Sequence, residues 1–289
     1  MRDLTYSFKE LLNRNKDGGF ATQANRKSML SLMSRQLYES GFKQMKDAEE
    51  LKGRHVNTLV ALWQKEGISD ATMKNRMATL RWWAEKVGKQ SVIARDNAEY
   101  GIANRVYVTN ESKAFGLDQQ KLNQVSNEYV KFSLELQAAF GLRREEAIKF
   151  QVAYADRGDH IQLKSSWTKG GKERSVPVRN VQQRELLDRV AKLAGKGSLI
   201  PSEKNYVQQK NVFERQTNNA GIHKAHGLRH QYAQNRYQEL TGRLAPAAGG
   251  KTSKELTPDE KNQDYQARIQ ISQELGHERE QITAVYLGR

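Results

Sequence analysis

Through the first hundred residues the apolar side chains recur at intervals of three and four, with no alternating run, a period that fits a helix and not a strand. The pattern is plainest in "SMLSLMSRQLYESGF" and "VNTLVALWQKEG". A third stretch, "ISDATMKNRMATLRWWAEKVGK", opens on Ser69 and Asp70 as candidate caps, carries Met73, Met77, Leu80 and Trp83 on one face, and stops at Gly88. Lys74, Arg76 and Arg81 fall off that stripe. Alone, this is an amphipathic helix with a solvated basic face; it is also the kind of helix that enters a major groove.

The remainder is mixed. "NAEYGIANRVYVTNESKAFG" combines Gly, Asn and short β-prone pieces, which puts a domain boundary near residue 110. Helical period resumes in "LDQQKLNQVSNEYVKFSLELQAAFG". After it, "KFQVAYADRGDHIQLKSSWTKGGKERSVPV" holds three alternating runs, 150–155, 160–167 and 174–178, parted by Gly-containing turns. These predict a small antiparallel sheet. Helices follow at "VQQRELLDRVAKLAG", "GLRHQYAQNRYQELTG" and "DYQARIQISQELG". Between the last two, a polar segment at about 241–263, rich in Gly, Pro and charge, reads as an exposed loop or insertion. The expected fold is mainly α with a small antiparallel β-sheet, an α+β chain with a helical domain over 1–110 and a second domain over 111–289.

Lys and Arg outnumber Asp and Glu by 48 to 33, and the net charge of +15 divides as +7 over residues 1–110 and +8 over the rest. With both parts basic, the charge suits either plain solubility or a polyanion met by the whole chain. No cysteine is present, which excludes disulfides, thiolate metal sites and cysteine nucleophiles and fits a reducing compartment. The first residues are charged throughout, unlike a signal peptide, and the densest apolar run, "LVALW", is far too short to cross a membrane. The expectation is a soluble cytoplasmic protein with no membrane partner.

Candidate chemistry gathers first in "GIHKAHGLRH", where His223, His226 and His230 suggest a metal site. Lys224 and Arg229 argue against it, since a guanidinium beside a divalent cation is unfavourable, and no acidic ligand lies near. The same cations favour an anion, and a phosphate suits both Arg and His. Arg143 stands at a Gly-Leu turn in "FGLRREEAIKF", with Glu146 one helical turn on and able to hold its guanidinium. Lys169 marks the tip of "WTKGGKERSVPV", and "ELGHEREQITAVYLGR" gives His277 and, nine residues later, Tyr286. Singly, these read as a surface ion pair, a charged hairpin tip and a packed tyrosine.

Taken in order, they resemble the catalytic pattern of the tyrosine recombinases, or phage-type integrases: Arg and an acidic residue three positions on, a hairpin Lys, His-x-x-Arg, Leu-Gly-His, and a Tyr nine residues beyond that His. The likeness spans about 113–289 and extends more weakly into the helical first part, which looks like the family's core-binding domain. The resemblance implies Tyr286 as nucleophile, His226 as its base, Arg143 and Arg229 on the scissile phosphate, Lys169 as general acid, His277 as a phosphate hydrogen-bond donor and Glu146 in support. Lys74, Arg76, Arg81, Lys164 and Lys172 are candidate DNA-backbone contacts, and His230 is a structural residue. No cofactor and no metal are implied.

The implied partners are a double-stranded DNA recombination site, a homotetramer on synapsed DNA formed from a chain that is monomeric when free, and an accessory directionality factor, in a cytoplasmic, nucleoid-associated setting. A mobile genetic element is the expected context. Two departures stand out: only Leu287, Gly288 and Arg289 follow Tyr286, where many members continue into a helix that packs on a neighbouring protomer, and the Arg229-to-His277 interval is long. The segment at 241–263 is expected to supply replacement contacts between protomers. Two other activities share this pattern, a type IB topoisomerase-like nicking and closing enzyme and a DNA-binding regulator that has lost catalysis.

Overall fold

The computed structural model describes residues 3–104, 106–277 and 279–289. The chain divides into two compact units, Met1–Val106 and Tyr107–Arg289. The division falls a few residues before the boundary expected near 110.

The first unit is built from α1 (Asp3–Arg14), α2 (Phe20–Glu39), α3 (Gly53–Lys65) and α4 (Asp70–Lys86). Its described residues contain no strand, as the three-four period requires. Ser69 caps α4 by accepting the Thr72 amide, and the stripe of Met73, Met77, Leu80 and Trp83 is buried. These side chains meet Leu30, Met33, Leu37, Leu59 and Trp63 in one core. The two buried indoles keep their N–H groups satisfied, Trp83 by the Ala48 carbonyl at 2.8 Å and Trp63 by Gln36 Oε1 at 3.0 Å.

The second unit comprises α5 (Gln119–Gln124), α6 (Glu128–Phe140), α7 (Arg144–Ile148), α8 (Val152–Ala155), β1 (His160–Leu163), β2 (Arg174–Pro177), α9 (Val181–Ala194), α10 (Tyr206–Asn219), α11 (His226–Thr241), α12 (Pro258–Glu274) and α13 (Glu280–Leu287). β1 and β2 pair antiparallel, Ile161 opposite Val176 and Leu163 opposite Arg174. Around them, Phe140, Phe150, Leu187, Val190, Tyr237 and Ile271 complete the largest core.

Two expectations need correction, and one helical stretch is divided. Residues 150–155 are not a strand: Val152 and Ala155, three apart, turn onto the core as one helical turn, and only Asp156 bridges to Ile161. The stretch 117–141 is two helices, because Asn127 caps the second by accepting the Val130 amide. The polar segment at 241–263 is neither wholly loop nor wholly exposed. Ala245 and Ala247 are buried around the turn Pro246–Ala248, and α12 begins at Pro258 under a capping box of Thr257 and Glu260. Helix α10, capped by Asn205, was not anticipated. No helix among the described residues is long and apolar enough to cross a membrane.

Candidate active site around Tyr286

Helix α11 begins at His226, so spacings of three and four place His226, Arg229 and His230 on one face. The start is tightly built. Gly227 leaves no space for a side chain: a Cβ there would lie 2.2 Å from the Phe115 ring. Against this face packs α13, whose last turn carries Tyr286.

The Tyr286 hydroxyl lies 3.3 Å from Arg229 Nε and 3.3 Å from His226 Nε2. Its ring is flanked by His277, stacked at 5.4 Å, and His230 at 4.5 Å. Arg229 is 1% exposed. Its Nη1 donates to the Gly141 carbonyl, and its Nη2 to the Leu275 carbonyl with His277 Nε2 also 3.3 Å away. Burial lowers the pKa of Arg229, with Arg143 and Arg174 adding to the effect, yet a guanidinium so held stays cationic.

Glu146, fully buried near the start of α7, is the counter-charge. It accepts the Arg143 amide at 2.6 Å and Arg143 Nη1 at 2.8 Å. Arg174 joins it by two parallel bonds, Nη1 to Oε1 at 2.7 Å and Nη2 to Oε2 at 2.6 Å. Burial alone would raise the Glu146 pKa; hydrogen bonding and charge from Arg174, with Arg229 and Arg143, outweigh it and hold the carboxyl at about 2. Three guanidiniums thus face one carboxylate, and the unbalanced positive charge suits a phosphodiester.

The histidines are held neutral. Desolvation lowers the His277 pKa to about 3 and that of His230 to about 4, helped by Arg229 in both cases. His226 keeps an exposed edge, but partial desolvation, Arg229 and Arg143 lower its pKa too. A neutral His226 is able to accept the hydroxyl proton of Tyr286. With Arg229 donating to Nε2 of His277, the proton of that ring belongs on Nδ1, which is buried with no hydrogen-bond partner among the described residues.

The structure therefore brings Arg143, Glu146, His226, Arg229, His277 and Tyr286 together. Lys169 stands apart, exposed on the turn joining β1 to β2, where Thr168 Oγ1 closes the tip by donating to the Lys172 carbonyl at 2.6 Å. Lys172 is exposed on the same turn. His223 is exposed, clear of the α11 face. Lys164 is committed inward, donating to Gln151 Oε1 at 2.9 Å and lying 4.1 Å over the Tyr154 ring. In the first unit, Lys74 donates to Asn104 Oδ1, Arg81 to the carbonyls of Ala94 and Arg95, and Arg76 folds over the Trp63 ring at 5.3 Å. The basic face of α4 is thus partly engaged within its own unit.

Arg174 is the site residue that sequence reasoning passed over. Its signal was parity: it shares the inward face of β2 with Val176, where a charge requires a buried partner.

The phage integrase N-terminal domain model matches residues 1–93, and the integrase domain model matches 106–235, a span that includes Arg143 to Arg229 and ends before His277. No curated protein matches the chain significantly. Among solved structures, a lambda integrase tetramer bound to a Holliday junction is 14% identical over 98% of this chain and 76% of that one, with a TM-score of 0.62. The XerH site-specific recombinase on a palindromic difH substrate is 16% identical over 99% and 81%, with a TM-score of 0.60. The Tn1549 transposon integrase with circular intermediate DNA is 12% identical over 99% and 95%, at 0.56. At these identities the likeness is one of fold. The two domain models occupy most of the sequence in the family's own order, and the chain belongs to the tyrosine recombinase, or phage integrase, family of site-specific recombination enzymes.

Proposed function

We propose that this chain cleaves and rejoins double-stranded DNA at a specific site through a covalent bond to Tyr286, exchanging strands between two duplexes. The observation that carries this reading is the 3.3 Å approach of the Tyr286 hydroxyl to both His226 and Arg229. A tyrosine hydroxyl ordinarily ionises near pH ~10, so it needs a base and a neutralised target. The Tyr286 oxygen attacks phosphorus as its proton passes to His226. Arg143 and Arg229 stabilise the non-bridging oxygens of the pentacovalent transition state and Glu146 holds the cationic cluster in place; for His277 to donate to the phosphate, its proton moves from the buried Nδ1 to Nε2 as DNA binds.

Lys169, carried toward the bound phosphate on its glycine-flanked turn, gives a proton to the departing 5′ oxygen. One P–O bond forms as another breaks, leaving a 3′-phosphotyrosyl bond and a free 5′ hydroxyl. The bond energy is retained, so a 5′ hydroxyl from a second duplex reverses the step and a Holliday junction results. Four copies of the chain on two duplexes suit this scheme, in keeping with a relative solved as a tetramer on such a junction. A mobile element is the proposed setting, with an accessory protein setting direction; Lys74, Arg81 and Lys172 are proposed to touch the DNA backbone, and Arg76 and Lys164 to do so only by leaving the Trp63 ring and Gln151.

The test is a nicked suicide duplex bearing a site selected from a randomised pool. The wild-type chain forms a detergent-stable covalent adduct and Tyr286→Phe forms none. An adduct that persists in that variant would falsify the assignment.

A further inference from the structure

Tyr286 is gripped from behind by its own catalytic unit. Gln234, on α11, donates to the Tyr286 carbonyl at 3.0 Å. Two residues on, the Gly288 carbonyl accepts from Arg268 Nη1 at 3.0 Å. Arg268 lies on α12, is 3% exposed, and has its Nε fixed by both oxygens of Asp264 at 2.9 and 2.8 Å. Asn110 brackets the next residue: its Oδ1 accepts the Arg289 amide and its Nδ2 donates to the Arg289 carbonyl, each at 2.9 Å.

The path between these grips is narrow. Gly288 has φ +75°, and a Cβ there would lie 2.6 Å from Asn110 Oδ1 and 2.7 Å from the Ala247 amide nitrogen. Ala247 belongs to the segment that lengthens the interval between Arg229 and His277, so that segment contributes a wall against the residues beyond the tyrosine. A buried guanidinium is costly to place and needs partners for each of its faces. Arg268 reaches two carboxylates, Asp264 on its own helix and Glu280 of α13 at 3.8 Å, and its one main-chain bond goes to the carbonyl just past Tyr286.

We propose that Arg268 and Asn110 are positioning residues for the nucleophile: they clasp the chain beyond Tyr286 to its own catalytic unit and so fix the direction of the hydroxyl. The proposal rests on the reading of Tyr286 as the nucleophile. Tyr286 occupies the last turn of α13, where carbonyls lack helical partners and the turn frays unless something else binds them. Gln234 binds the Tyr286 carbonyl within that turn, and the clasp holds the chain just beyond it. A misplacement of about 1 Å at a reacting atom costs on the order of a hundredfold in rate, so the clasp acts on the chemical step and leaves DNA affinity alone.

The experiment compares full-length wild type, Asn110→Ala, Arg268→Gln and Arg268→Lys on the nicked duplex. It reads the rate of adduct formation at saturating DNA, duplex affinity in a Tyr286→Phe background, and the thermal midpoint. Asn110 is exposed, so its variant keeps the fold. The expected result is a saturated rate lowered tenfold or more in Asn110→Ala and Arg268→Gln, with affinity within twofold of wild type. Arg268→Lys recovers part of the rate, because an ammonium still donates to the Gly288 carbonyl. Equal rates in all chains that react overturn the clasp alone, as does a loss of rate that tracks affinity and thermal midpoint without rescue by lysine. A wild type that forms no adduct overturns the nucleophile reading, and the clasp with it.

Discussion

Arg174 and Glu146 are joined by two parallel hydrogen bonds at 2.7 and 2.6 Å inside the second unit, Arg174 8% exposed and Glu146 fully buried. Breaking such a pair leaves a charge buried without compensation, which typically costs about 3–5 kcal/mol. Glu146→Gln is expected to lose that much in denaturant unfolding, since it strands Arg143, Arg174 and Arg229 together. The double variant Glu146→Gln with Arg174→Met is expected to recover part of it. If the double variant is as unstable as the sum of the single ones, the two residues do not act as a pair.

Tyr286, His226 and Arg229 meet within one chain, so the proposed nucleophile is expected to be activated by its own protomer. Arg229→Ala is expected to slow adduct formation about a hundredfold or more. Mixing it with Tyr286→Phe should restore nothing, as neither chain holds a complete site. Recovery of adduct in the mixture would show that one protomer completes the site of another.

Acid should weaken the second unit. His277 and His230 have pKa values lowered to about 3 and about 4, and His226 is lowered as well, from an ordinary value of 6.5. Between those values and 6.5 the unfolded chain binds more protons than the folded one, so stability rises with pH and falls as pH drops through that window. Glu146 acts in the same direction lower down, its contribution being lost as pH falls toward about 2. The thermal midpoint is expected to fall steadily from pH 6.5 to pH 4, and less steeply in His230→Gln. A flat midpoint over that range would contradict the buried, neutral histidines.

Lys169 is proposed to protonate the departing oxygen, a role worth roughly a hundredfold to ten-thousandfold. Lys169→Ala should therefore cleave slowly on an ordinary duplex. On a duplex with sulfur at the 5′ bridging position it should recover, because a thiolate leaves without needing a proton. Failure of the sulfur substrate to rescue the variant would place Lys169 outside the proton transfer.

Much of this was readable in advance because it depends on spacing. The period of Met73, Met77, Leu80 and Trp83 predicts a buried helix face, and intervals of three and four put His226, Arg229 and His230 side by side. Where reasoning from spacing stopped short, the deciding contact was distant in sequence. Residues 150–155 alternate like a strand, yet burial of Val152 and Ala155 against a core assembled from elsewhere turns them into helix. Parity aside, Arg174 carries no local signal of its role because its partner lies 28 positions earlier. Arg268 went unremarked for a similar reason: the Gly288 carbonyl that it holds carries no side-chain signature at all.

The seat of Arg229 has a further consequence. Two of its anchors, at Gly141 and Leu275, are peptide carbonyls, and every amino acid supplies the same oxygen. Point substitutions at position 275 therefore leave the anchor's chemistry intact, whereas removing one residue from the turn at 275–277 would swing the carbonyl away. The arginine proposed to bind the phosphate is secured by the route of the backbone rather than by its local composition, and its neighbourhood tolerates drift in spelling but not in length.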